Sequence, residues 1–168
     1  MDIAVSAARE KLNHVTPLKK DCGRICNARC CLSLDGEETG MLLFPGEAGA
    51  YMGKEGWEIR KTVQGDLVFC PGTCEREERP LSCRLFPMLP LIGEDGKVRT
   101  VMDLRARAVC PLARQGKEAL DPVFIDAVRE AGELLAQHEE QVCFLNRLRE
   151  EQEELKKLRE KFTVHHAE

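Results

Sequence analysis

The chain has 168 residues, 43% of them hydrophobic but only 5% aromatic, and a net charge of -4. That length suits one compact domain with an appendage and a modest aliphatic core, and the acidic balance argues against nucleic acid as a partner. No stretch approaches the roughly 18 apolar residues of a membrane helix. The opening Met-Asp-Ile-Ala-Val-Ser-Ala-Ala-Arg-Glu lacks the basic and apolar regions of a secretory signal, so a cytoplasmic location is expected.

Residues 1–20 form a lead-in. Ile3, Ala7, Ala8 and Leu12 recur at near-helical spacing and predict a short helix that ends before or near Pro17. Residues 21–112 hold eight cysteines and most of the Gly and Pro. Turn signals at Asp35-Gly36, Pro45-Gly46, Pro71-Gly72 and Asp95-Gly96 leave room only for short elements. Leu67-Val68-Phe69 reads as a short strand that delivers Cys70. Met88–Ile92 and residues 97–102 flank Gly93-Glu94-Asp95-Gly96 and read as a β-hairpin, with Pro90 confining its first strand to an edge. So punctuated a stretch needs a further source of stability, which metal staples supply in small loop-rich regions.

Residues 121–162 read as helix. Asp121 is an N-cap residue and Pro122 suits the first helical turn. Phe124, Val128, Ala131, Leu135, His138, Val142 and Leu145 form an apolar stripe, which Leu148, Leu155, Leu158 and Phe162 extend with some slippage. This is one long helix or two with a break. Its stripe must pack on the cysteine-rich part, on itself, or on a partner chain, a second copy included. The expected fold is α+β, mostly α: a small irregular, metal-stapled, cysteine-rich domain with a short β-hairpin and a long C-terminal helix or helical hairpin.

The cysteines carry the chemistry. Nine of them in a chain without a secretory signal point to metal binding or redox chemistry rather than disulfides. Cys22, Cys26, Cys30 and Cys31 form a first group, Cys70, Cys74 and Cys83 a second, and Cys110-Pro111 can close a site from beyond the hairpin. Thiolates are strong ligands for zinc and for iron–sulfur clusters, and a site usually takes four. Eight could make two tetrathiolate sites, or one cluster with spare or redox-active thiols. On one straight helix Cys22 and Cys30 would lie about 12 Å apart, whereas sulfurs on one zinc are under about 4 Å apart. The segment therefore bends, with Gly23 the candidate hinge, or its sulfurs serve different metals, or they grip a larger cluster. Adjacent side chains diverge on a helix and face opposite ways on a strand, so Cys30 and Cys31 are awkward partners on one small ion. That pair tilts the reading toward an iron–sulfur cluster over zinc.

Other residues read more plainly. Cys143 lies near the apolar stripe and is expected in the core. Arg84 and Arg79 can donate hydrogen bonds to thiolates and offset their charge, or form surface ion pairs. Phe86 and Pro87 read as packing and turn residues, and Tyr51 and Trp57 as core or lid. His14 and His138 have no Cys or His at ligand spacing nearby, while His165-His166 could bind metal adventitiously. Gly-rich phosphate loops and nucleophile elbows are absent from the sequence.

Together with these cysteines, the segment Arg79-Pro80-Leu81-Ser82-Cys83-Arg84-Leu85-Phe86-Pro87 resembles the YkgJ-like family of zinc- or iron-chelating cysteine-cluster domains. The resemblance spans about residues 22–110. The family commonly places two residues between the cysteines of the first group; this chain places three. The resemblance implies that Cys22, Cys26, Cys30, Cys31, Cys70, Cys74 and Cys83 match the motif cysteines, with Cys110 an eighth. A related group is associated with lysine methylation of flagellin, so an iron–sulfur enzyme of protein modification is an alternative to a non-catalytic metalloprotein. A thiol-based redox or metal-handling sensor is another, and Arg29 beside Cys30 is compatible with it.

Overall fold

In the computed structural model, which describes residues 1–32, 40–72 and 74–164 (Thr163 and Val164 as backbone alone), the Asp2 carboxylate opens helix α1 (Ile3–Lys11). It accepts the N–H groups of Ala4 at 2.9 Å and Val5 at 3.1 Å, as a capping side chain does. The Asp35-Gly36 turn and the His165-His166 pair lie outside the described residues.

The chain continues through α2 (Gly23–Cys26), a 3-10 turn (Arg29–Cys31), and strands β1 (Met41–Leu42), β2 (Glu58–Thr62) and β3 (Gly65–Phe69). Next come α3 (Leu81–Leu85), β4 (Met88–Ile92), β5 (Val98–Met102), α4 (Ala106–Val109) and α5 (Pro111–Gln115). Helices α6 (Pro122–Leu135) and α7 (Glu139–Val164) follow. The fold is thus α+β and mostly α, with small sheets, a hairpin and a long C-terminal helix. None of the described helices is long and apolar enough to cross a membrane.

Strands β1, β3 and β2 pair antiparallel in that order, with Met41 opposite Val68 and Glu58 opposite Phe69. Only β3 was expected; β1 is two residues long and β2 alternates too weakly to be recognised. The β4–β5 hairpin falls where it was expected, with Ile92 opposite Val98 and the Gly93 N–H on the Lys97 carbonyl at 2.9 Å. Its two-stranded sheet makes β4 an edge, which suits Pro90.

One core joins both ends of the chain. Val5 and Ala8 of α1, with Leu12 at its C-cap, meet Leu81 and Leu85 of α3, Met88 of β4, Phe124 and Val128 of α6, and Leu145 of α7, all fully buried. Each large side chain so buried contributes about 1.5–3 kcal/mol relative to exposure. The buried face of α1 is Ala4, Val5, Ala8 and Leu12; Ile3 is 80% exposed, so the apolar face is rotated from the expected one.

Asp121 caps α6 by accepting the Val123 N–H at 3.0 Å, with Pro122 in the first turn. The expected stripe is buried through Leu135 and again at Leu145 and Leu148. After Leu135 the helix breaks, His138 is exposed in the turn, and α7 starts in a new phase that buries Gln141, Phe144, Leu145, Leu148 and Gln152. Cys143, expected in the core, falls on the exposed side for this reason. Leu158 and Phe162 are 50% and 68% exposed.

Gly132 marks where α6 crosses the hairpin. A Cβ there would stand 2.4 Å from Pro90 Cβ and 2.7 Å from Val98 Cγ1. Gly132→Ala is therefore expected to destabilise the fold by roughly 1–3 kcal/mol through overpacking, although Ala favours an isolated helix by about 1 kcal/mol. Denaturant unfolding checks this; an unchanged or higher midpoint would mean the crossing is loose.

Candidate metal centre

Each cysteine is positioned by a different local device. Helix α2 carries Cys22 at its start and Cys26 at its end, one turn apart, and the Cys26 thiol points back to the Cys22 carbonyl at 3.6 Å. The chain then takes two left-handed residues, Asn27 (φ 52°) and Ala28 (φ 51°). The expected bend thus occurs here and not at Gly23, which is helical. Left-handed backbone costs a residue with a Cβ roughly 1–2 kcal/mol, and a polar residue such as Asn tolerates it better than Ala.

The bend leads into the 3-10 turn with Cys30 and Cys31, whose sulfurs stand 3.9 Å apart. Sulfurs bonded to one tetrahedral zinc at about 2.3 Å are roughly 3.8 Å apart. The backbone bend and side-chain rotation bring together two sulfurs that a regular helix or strand would splay, so their adjacency does not by itself choose between zinc and a larger cluster.

Strand β3 runs into Cys70, which is exposed, and Cys74 follows half-buried. Helix α3 turns Leu81, Arg84 and Leu85 into the core and leaves Cys83 on its other side. Cys110 is buried at the junction of α4 and α5, its N–H on the Ala106 carbonyl at 2.7 Å.

All eight cysteines expected as ligands line two adjoining cavities, and all nine of the chain's cysteines are free thiols. One cavity, of about 430 Å³, is walled by Cys30, Cys31, Cys70, Cys74 and Cys83, with Trp57 at its edge. The other, of about 120 Å³, is walled by Cys22, Cys26, Cys30, Cys31, Cys83 and Cys110. Arg79 and Phe86 line both. The donor set fits a thiolate metal centre in kind and number. It does not close on an ion as it stands: among the described residues, no three His, Cys, Asp or Glu side chains are grouped so as to hold one.

The thiols sense one another. The Cys30 and Cys31 thiols share a hydrogen bond, which raises the Cys30 pKa and lowers that of Cys31, so one proton serves the pair. Burial, then the neighbouring Cys26, raises Cys22; burial, then Cys31, raises Cys83 well above the ordinary thiol range. Burial also raises Cys74, although Arg79 hydrogen-bonds it and opposes the shift. Crowded thiolates of one sign resist ionising together unless a cation joins them.

The two arginines of the motif divide the work. Arg79 faces the sulfurs, its guanidinium on Cys74 and its buried Nε without a hydrogen-bond partner. Arg84, read from the sequence as a thiolate donor or a surface ion pair, is neither: it is buried, and although it lines the smaller cavity its guanidinium is taken up elsewhere. It donates to the carbonyls of Arg79 at 3.0 Å, Arg9 at 3.1 Å and Glu77 at 2.8 Å, and to the Asn13 side chain. Tyr51 is core, stacked on Trp57 with ring centroids 4.8 Å apart. His14 and His138 are exposed and line neither cavity.

Sequence reading missed the partner of this scaffold, the buried Arg9–Glu47 ion pair at 3.0 Å. Glu47 also accepts the Leu81 N–H at 2.8 Å, which locks the start of α3. Burial, despite Arg9 and these donors, leaves the Glu47 pKa raised. No signal in the sequence pairs residues 38 positions apart.

No family model, curated protein or solved structure matches this chain.

These contacts separate scaffold from site. Arg84→Ala is expected to lower unfolding stability by roughly 2–4 kcal/mol, since it empties a buried hydrogen-bond network. Arg79→Ala should change it by less than about 1 kcal/mol. Urea unfolding of the two metal-free variants, kept reduced, measures both; equal losses would contradict the division.

Proposed function

We propose that this chain is a metal-binding protein that holds zinc, or iron as an iron–sulfur cluster, through the thiolates of Cys22, Cys26, Cys30, Cys31, Cys70, Cys74, Cys83 and Cys110. The observation that carries the reading is selectivity: eight cysteines from four separate stretches line two adjoining cavities, while Cys143 stands exposed on α7. Thiols gathered only as small core residues would be dispersed through the apolar core, and of the nine only Cys110 is buried. The resemblance to the YkgJ-like family supports the same reading.

Thiol ligands rarely meet in final geometry before the metal arrives, because the binding energy is also folding energy. Zinc in closed tetrathiolate sites would staple the loops around α2, β3 and α3; an iron–sulfur cluster would add electron transfer. Arg79 is the residue placed to offset the charge of the bound thiolates, and burial of Cys110 shields its side of the smaller cavity from water.

A second reading, thiol redox chemistry, is favoured by the 3.9 Å approach of the Cys30 and Cys31 sulfurs. One experiment separates the two. The protein, purified anaerobically without a histidine tag, is analysed for metal, acid-labile sulfide and visible absorption. Bound zinc without colour, or iron with sulfide and a brown spectrum, is the expected result. Protein that carries neither metal and cannot be reconstituted with either would overturn metal binding and leave redox thiols.

A further inference from the structure

Cys30, Cys31 and Cys83 line both cavities, at the boundary between them, and the other five thiols separate into two sets. Cys22 interacts electrostatically with Cys26 and Cys110, and Cys30 with Cys22 and Cys26. Cys74 interacts with Cys70 and Cys31, and Cys83 with Cys31, Cys70 and Cys74. Among these neighbour relations the sets touch only through Cys30 and Cys31. The cavities carry the same division for five of the eight: Cys22, Cys26 and Cys110 line only the smaller and Cys70 and Cys74 only the larger, while Cys30, Cys31 and Cys83 line both, and the bend at Asn27 and Ala28 leads the chain from Cys26 to Cys30.

We propose that the eight thiols form two tetrathiolate metal centres, one from Cys22, Cys26, Cys30 and Cys110 and the other from Cys31, Cys70, Cys74 and Cys83. The vicinal pair is divided between them, and Arg79 lies at their common wall. This rests on the metal-binding reading above and adds to it the number of centres and the ligands of each.

The division answers the geometric problem of α2. Cys22 and Cys26, one helical turn apart, need converge only with each other and with ligands from outside α2. Cys30 and Cys31, whose sulfurs stand 3.9 Å apart, each complete a different centre, which places the two centres side by side. Charge then explains Arg79. Four thiolates on a divalent ion leave a net charge of about −2, and two such centres side by side repel. Arg79 lines both cavities, interacts with Cys22, Cys31 and Cys74, and keeps its Nε buried without a partner. A guanidinium between two dianionic centres stabilises both.

The test uses cobalt(II) as a spectroscopic stand-in for zinc, titrated anaerobically into the reduced, metal-free full chain. The wild type is expected to take up two ions per chain, each with the intense visible bands of tetrathiolate cobalt. Cys26→Ser/Cys110→Ser and Cys70→Ser/Cys74→Ser should each lose one tetrathiolate ion and keep the other, with Arg79→Gln weakening both steps about 10–100-fold. Saturation of the wild type at one ion, or loss of both ions in either double variant with its circular dichroism intact, overturns the division while leaving metal binding standing. No uptake by the wild type overturns both readings. Should a double variant fail to fold, stepwise removal of cobalt from the wild type by a chelator decides. Alkylation mapped by mass spectrometry is expected to expose the cysteines four at a time, in the two sets named; exposure in mixed order overturns the proposal.

Discussion

Arg9 and Glu47 meet at 3.0 Å in a part of the molecule where Glu47 is entirely without solvent, and much of the site's support converges on that pair. Removing two charges from water costs several kcal/mol per ion, and only further hydrogen bonds offset it. Here they are present. Arg9 also donates to the Tyr51 hydroxyl at 2.7 Å and the Glu77 carbonyl at 2.8 Å, and Glu47 accepts from Leu81 and Phe44. These contacts tie α1 to the segment after β1, to the aromatic pair Tyr51–Trp57, and to the residues between Cys74 and Cys83. The pair thus sets where two of the cysteine-bearing stretches stand relative to each other.

The second layer of support is cationic. Arg76 donates to the carbonyls of Asn13 at 2.8 Å and Leu12 at 2.6 Å, and to that of Val15, closing the end of α1. Arg84 joins α1 to α3. The segment carrying Arg76, Arg79 and Arg84 therefore has one guanidinium for the helix end, one for the sulfurs and one for the junction. Helix α3 turns Leu81 and Leu85 to the apolar core and Cys83 to the two cavities, so it stands between the core and the thiols. At the opposite end, Gln152 accepts the Leu104 N–H at 2.9 Å and donates to Asp103 at 3.0 Å, which pins α7 to the segment between the hairpin and α4, the helix that leads to Cys110.

Features with local causes were legible from the residues. The β4–β5 hairpin follows from two apolar runs around a Gly-rich turn. The start of α6 follows from Asp121-Pro122, and the gathering of eight cysteines from composition and spacing. Features without a local marker were not. The α6–α7 break has neither Gly nor Pro within it, so the continued stripe placed His138 and Cys143 on the wrong faces. The bend after Cys26 falls on Asn27 and Ala28, and Ala carries no signal for left-handed backbone. Arg79 and Arg84 flank the same cysteine, and spacing alone could not say which turns toward sulfur.

The sequence by itself determined the class of the fold, the hairpin, the helical C-terminal third and the set of thiols that stand together, because each depends on neighbouring residues or on residue type. Tertiary structure alone decided the phase of α7, the rotation of α1, the roles of the two arginines and the arrangement of the thiols around two adjoining cavities. Those depend on contacts between residues far apart in the chain. Arg9 finds Glu47, and Gly132 lets α6 approach Pro90, only once the whole core has closed.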